Sequence, residues 1–169
     1  MIKAYDLIKE YYGDKIANRS KVPYINHIDE GLKILTYLGA EEVVKDAFCL
    51  HPFLQADEDF LKNKDKIPSH LIDAAILTME YRRVANSYLS KDKKESFVGF
   101  SCKEVKQMLI ADKVQNFKDF LLHHYIIHER SKELTKYFNN WFELLEVKYV
   151  EIVHCLFFEN ERLETNGKK

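Results

Sequence analysis

Apolar residues recur along this chain at three- and four-residue intervals, the spacing of helices that bury one face. Tyr5, Ile8, Tyr12 and Ile16 form the first stripe, with Gly13 as an interruption. A loop, NRSKVP, leads into a second helix over about Tyr24 to Leu38, with Pro23 suited to its first turn. Its stripe is Tyr24, His27, Ile28, Gly31 and Leu35, and Gly39 is a natural residue to end it. The third helix, about Glu41 to Leu50, carries Val44, Ala47 and Phe48 inward, and the next member of that stripe is His51. Pro52 follows at once, so this helix is predicted to end at His51.

A short acidic piece, Asp57–Asn63, comes next, then a loop containing Pro68. Ser69 is placed to cap a fourth long helix with Leu71, Ile72, Ala75, Ile76 and Met79 inward. The polar stretch from about Asn86 to Gly99, with Lys91, Lys93 and Lys94, reads as an exposed loop able to serve as a lid. Ser101 and Glu104 form a capping-box pair ahead of a helix whose stripe is Val105, Leu109, Asp112, Asn116 and Phe120. Ser131 to about Leu163 gives one long or two shorter helices rich in Tyr, Phe and Trp141, and Glu164–Lys169 is a frayed tail. The fold class expected is all-α, a single bundle of seven or eight helices.

Composition agrees. The 169 residues suit one domain, long enough to bury roughly two-thirds of the unfolded surface. With 46% hydrophobic residues, 10 Tyr and 11 Phe, a packed core is expected. Five Gly and three Pro are too few for the turns of an all-β fold. A net charge of −1 gives no general field for nucleic acid or an anionic membrane, though a local phosphate site remains open. No apolar run is long enough for a membrane span, and the charged, amphipathic N-terminus is not a signal peptide. Cys49, Cys102 and Cys155 lack CxxC spacing, so reduced thiols in the cytoplasm are expected.

His27, His51 and Asp112 thus come from three different predicted helices, each on the buried face. Two imidazoles and a carboxylate that converge suit a divalent ion such as Mn²⁺, Fe²⁺ or Zn²⁺. Each residue alone has an ordinary role open to it: a hydrogen-bonded core histidine, or an aspartate in a cap or ion pair. His123, His124 and His128 form a weaker candidate, without the glutamate of an HExxH helix. Arg82, Arg83 and the Lys91–Lys94 cluster can grip phosphates or simply be a solvated face. The aromatic C-terminal block is core or a homodimer surface.

Three segments resemble the HD-domain phosphohydrolases, in particular the RelA/SpoT-type alarmone hydrolases. RSKVPYINHIDEGLKIL, from Arg19 to Leu35, is similar to their R-x-(S/G)-x-P-Y-x-x-H opening, whose His is the first metal ligand. AFCLHPFLQAD resembles A-x-L-L-H-D-x-x-E-D, and SCKEVKQMLIADKVQNFKDF resembles the helix carrying the last ligand Asp. The LIADKVQN match is the most specific, and the likeness covers most of residues 19–120.

The resemblance implies an HD-like fold, His27, His51 and Asp112 as metal ligands, and a nucleotide or other small phosphorylated partner held by Arg19, Lys21 and Asn116. Arg19 is suited to stack on a base or fork a phosphate, and Asn116 to bond a ribose hydroxyl. For Arg19 and Lys21 a solvated loop charge, and for Asn116 an interior hydrogen bond, are equally open. Two departures matter. Pro52 stands where the family has a ligand Asp, and Gln55–Ala56 where it has a catalytic Glu-Asp pair. Gln55 can hydrogen-bond but cannot take up a proton near neutral pH, so Asp57 or Asp59 is the expected substitute acid, ahead of Asp29 and Glu30. The expected function is a divergent metal-dependent phosphohydrolase, or a catalytically silent fold that binds a nucleotide or serves as a scaffold.

Overall fold

The structure is a computed structural model, and it describes residues 2–18, 20–89 and 99–157. Arg19, the cluster at Lys91, Lys93 and Lys94, and the tail Glu164–Lys169 therefore lie outside the described residues. Among the described residues there are eight α-helices and no strands, apart from one isolated bridge between Ile16 and Pro23. They are α1 (Tyr5–Tyr12), α2 (Ile25–Tyr37), α3 (Glu42–Leu54), α4 (Asp57–Asn63), α5 (Ile72–Leu89), α6 (Lys103–His123), α7 (Ser131–Leu145) and α8 (Tyr149–Val153). The all-α bundle is as the periodicity predicts. None of these helices is long and apolar enough to cross a membrane.

Two helices form the centre. α3 packs on α5, α2, α1, α4 and α6, while α6 packs on α2, α7, α5, α3 and α8. α6 is buried around its whole circumference from Val105 to Phe120, so Gln107, Asp112, Lys113, Gln115 and Lys118 are buried too. The predicted single stripe was too narrow for such a helix: buried polar groups satisfied by partners replace the usual solvent face. The aromatic block contributes to the core, since Phe138, Trp141, Phe142 and Leu145 are all buried.

α2 and α3 approach closely because Gly31 has no side chain. A Cβ there would lie 2.1 Å from the Phe48 ring. Gly39 takes a φ of 65° after α2, and the Ala40 N–H bonds the Leu35 carbonyl, which closes the helix as expected.

Several boundaries differ from expectation. α1 stops at Tyr12, with Gly13 at φ 52°, and Ile16 is exposed in the bridge instead of continuing the stripe. Pro23 precedes α2, whose N-cap is Tyr24. The cap of α6 is Cys102 without a side-chain bond, so Ser101 lies one residue too early to reach the first turn. Ser69 opens a 3₁₀ turn, Ser69–Leu71, rather than capping α5. That shift rotates α5: Leu71, Ala74, Thr78, Tyr81 and Ala85 face the core, and Ile72 and Ile76 are exposed.

The most consequential difference is at Pro52. α3 does not end at His51 but runs through the proline to Leu54. An internal proline removes one helix hydrogen bond and crowds the carbonyl four residues back. Here that carbonyl is Phe48 O, and His51 Nδ1 lies 2.6 Å from it. With the lost bond replaced and the helix buried on several sides, the chain stays helical.

Candidate metal centre

His27 comes from the first turn of α2, His51 from the last turn of α3, and Asp112 from the middle of α6. Their ligand atoms converge. His27 Nε2 lies 3.0 Å from His51 Nε2 and 3.5 Å from Asp112 Oδ1, and His51 Nε2 lies 3.9 Å from the same oxygen. Among the described residues this trio is the group of three or more His, Cys, Asp or Glu side chains arranged to hold a metal ion.

The far side of each imidazole defines its tautomer. His51 Nδ1 faces the Phe48 carbonyl, which only accepts, so Nδ1 carries the proton. His27 Nδ1 lies 2.6 Å from Gln115 Oε1. The Gln115 amide is oriented by two carboxylates, because its Nε2 donates to Glu30 Oε2 at 3.0 Å and Asp119 Oδ2 at 2.8 Å. Its oxygen must therefore accept from His27 Nδ1–H. Lys118, itself buried, ties Glu30 and Asp119 together with contacts of 2.6 and 2.7 Å.

With both rings neutral, the two Nε2 atoms present lone pairs to each other. Without a positive charge between them, that is a repulsive contact; a proton on one ring turns it into a hydrogen bond. A proton is disfavoured on His51: burial, reinforced by His27, pushes its pKa down to about 3. The two nitrogens and Asp112 Oδ1 lie close enough together that one ion could be held by all three.

Asp112 supplies the negative charge. Burial pushes its carboxyl up, but the Lys113 ammonium and the two imidazoles outweigh burial and hold it well below the usual carboxylate range. Lys113 Nζ donates to Oδ2 at 2.6 Å and Asn116 Nδ2 donates to Oδ1 at 2.8 Å. Lys113 is buried over the rings of Trp141 and Tyr137, at 5.1 and 5.9 Å. The buried Tyr81 hydroxyl also bonds Asp112, and burial together with that carboxylate raises its pKa well above the ordinary value.

The trio lies in the wall of a cleft of about 820 Å³, also lined by Tyr12, Tyr24, Pro52, Gln55, Tyr137 and Phe138. Tyr12 and Tyr24 stack with centroids 5.6 Å apart. Gln55, which caps the C-terminus of α3, donates through Nε2 to Asn86 Oδ1 at 3.0 Å, while its buried Oε1 has no hydrogen-bond partner among the described residues.

Asp57 and Asp59 do not line the cleft. They sit in the first turn of α4, where Asp57 is exposed and paired with Arg82, and Asp59 accepts a bond of 3.3 Å from Tyr11. Lys21 is exposed with φ 60° and is not a lining residue, although Ser20 and Val22 beside it are. Asn116 lines the cleft and is committed to Asp112. His124 and His128 line the cleft's other end, and His128 Nδ1 accepts from the Arg130 N–H. Cys49, Cys102 and Cys155 form no disulfide.

Gln115, Tyr81, Lys113 and the Phe48 carbonyl are the groups that sequence reasoning missed. Lys113 and Gln115 follow Asp112 on a helix whose extensive burial its mixed composition conceals. The spacing of Thr78 and Tyr81 is the signal that locates the true inner face of α5.

Fold and site together define an all-α bundle with a two-histidine, one-carboxylate centre able to hold a metal ion. No family model, no curated protein and no solved structure matches this chain.

Proposed function

We propose that this chain is a divergent HD-type, metal-dependent phosphohydrolase acting on a nucleotide or a related phosphate ester. The observation that carries the reading is the juxtaposition of His27 Nε2, His51 Nε2 and Asp112 Oδ1, two opposed lone pairs and an anion. Such an arrangement costs stability unless a cation joins it. His27, His51 and Asp112 would hold the ion, and this nitrogen and oxygen donor set suits Mn²⁺, Fe²⁺ or Zn²⁺. When bound, a divalent ion supplies charge neutralisation for a phosphate and lowers the pKa of a coordinated water.

The protein's own groups then have separable tasks. Lys113 and Asn116 hold Asp112 anionic and oriented, and Gln115 holds His27. The cleft volume falls within the range of small-ligand sites. The rings of Tyr12, Tyr24, Tyr137 and Phe138 offer flat faces to a base, and Gln55 offers a hydrogen-bonding amide. Arg19 and Lys21 are the cations that precede the first ligand most closely in sequence. Three cysteines outside any disulfide suit a cytoplasmic setting.

A second reading, a catalytically silent domain that binds the same ligand, is favoured by one observation. Gln55 lines the cleft where a proton acceptor is wanted, while Asp57 and Asp59 do not. One experiment separates the two: purified protein is assayed for bound metal and for phosphate release from a nucleotide panel, with thermal shift in parallel. Metal-dependent release lost in His27→Ala and Asp112→Ala supports the hydrolase. Metal-dependent stabilisation without release selects the binding domain, and neither effect removes both.

A further inference from the structure

Pro52 lies inside α3, lines the cleft, and directly follows a residue of the metal centre. In an uninterrupted helix the N–H of residue 52 would donate to the Phe48 carbonyl. Proline has no N–H, and its ring pushes that carbonyl outward from the helix axis. The carbonyl is then open to a side chain one turn along, and His51 Nδ1 is found there at 2.6 Å.

Phe48 is itself firmly held. Its ring fills the space left by Gly31 and packs on both imidazoles, with centroid distances of 5.6 Å to His27 and 4.7 Å to His51. The other histidine has no such backbone device and relies on the Gln115 amide.

We propose that Pro52 is a positioning residue for the metal centre: by withholding a backbone donor it reserves the Phe48 carbonyl for His51 and holds that imidazole as the Nδ1–H tautomer, Nε2 turned toward His27 and Asp112. The inference rests on the metal-centre reading for its purpose, but its physical content is the tautomer of His51 and can be read without any ion. Outer partners of this kind orient the ligand and typically change metal affinity 10–100-fold when lost. A helix-breaking residue at the wall of the site is thereby a means of aiming a ligand.

The test is nitrogen-15 NMR of the histidine rings in the metal-free full chain, followed by Zn²⁺ titration. Wild type should show His51 protonated at Nδ1 alone. Pro52→Ala restores the N–H in a residue that favours helix, so the chain should stay folded. His51 should then exchange between tautomers, and Zn²⁺ affinity should fall by about 10–100-fold. Replacing residue 52 with lactic acid, which lacks both the ring and the N–H, should keep the wild-type tautomer.

Unchanged His51 ring shifts in Pro52→Ala overturn the proposal. So does a lactic acid variant that behaves like Pro52→Ala, because the ring and not the missing donor would then orient His51. If the tautomer moves as expected but wild type takes up no Zn²⁺, the positioning device stands and the metal-centre reading falls.

Discussion

His27 Nε2 and His51 Nε2 face each other 3.0 Å apart, and each ring is protonated on its other nitrogen. With both rings neutral the two nitrogens are acceptors in contact, which a proton or a metal ion between them would relieve.

Adding Zn²⁺, Mn²⁺ or Fe²⁺ should raise the melting temperature. A site-specific ion at a hundred times its Kd contributes about 2.7 kcal/mol. Calorimetric titration should find one ion per chain in wild type and little binding in His27→Ala or Asp112→Ala. A wild-type protein whose melting is indifferent to every divalent ion would end the metal reading.

Acid should weaken the metal-free protein over a defined range. His51 has a pKa of about 3 when folded against 6.5 when free. Between those values the unfolded chain binds a proton that the folded chain refuses, so stability falls as pH falls through that window. Asp112 acts in the same direction lower down. Its folded pKa lies below the ordinary 3.8, so its contribution is present above 3.8 and fades beneath it. Melting temperatures measured from neutral pH downward should drop less steeply in His51→Gln than in wild type; identical slopes would show that His51 is not the titrating group.

Gly31→Ala should destabilise the bundle by about 1–3 kcal/mol, the usual cost of forcing extra volume into a packed core. The new methyl would overlap the Phe48 ring, and moving that ring disturbs both imidazoles. Denaturant unfolding and Zn²⁺ titration of the same variant check both effects. A variant as stable as wild type would mean that α2 and α3 are not so closely packed.

Gln115→Ala should lower metal affinity by about 10–100-fold, because His27 loses the acceptor that fixes its tautomer. It also leaves Glu30 and Asp119 without an amide donor, which should cost about 1–3 kcal/mol of stability. Equal affinity in variant and wild type would remove Gln115 from the account.

Gln55→Glu places a titratable carboxyl in the cleft wall. If the chain hydrolyses phosphate esters slowly for want of a proton acceptor, release should speed up by about 10²–10⁴-fold. An unchanged rate around neutral pH, with metal still bound, favours the silent binding domain.

The positions of His27, His51 and Asp112 on inward faces were legible from three- and four-residue spacing alone, because a core-facing stripe singles out its polar members. Helix type was legible for the same reason, and Gly39 at the end of α2 followed from its backbone freedom. The phase of α5 was not. Ile72 and Ile76 are more apolar than Thr78 and Tyr81, yet the latter face inward, since Thr78 bonds the Ala47 carbonyl and Tyr81 reaches Asp112. Apolar periodicity cannot register a polar side chain buried for its partner. Asp57 and Asp59 failed to reach the cleft for a different reason: Ala56 turns extended and starts a new helix, carrying both acids elsewhere.

By itself the sequence determined that the chain is helical and that two histidines and an aspartate point inward, because local spacing dictates which face a side chain occupies. Only the tertiary structure decided that these three meet, which nitrogen of each imidazole is free, and that Pro52 stays within its helix. Those facts depend on contacts between residues far apart in the chain, such as His27 with Gln115, and on a carbonyl whose availability no residue pattern displays.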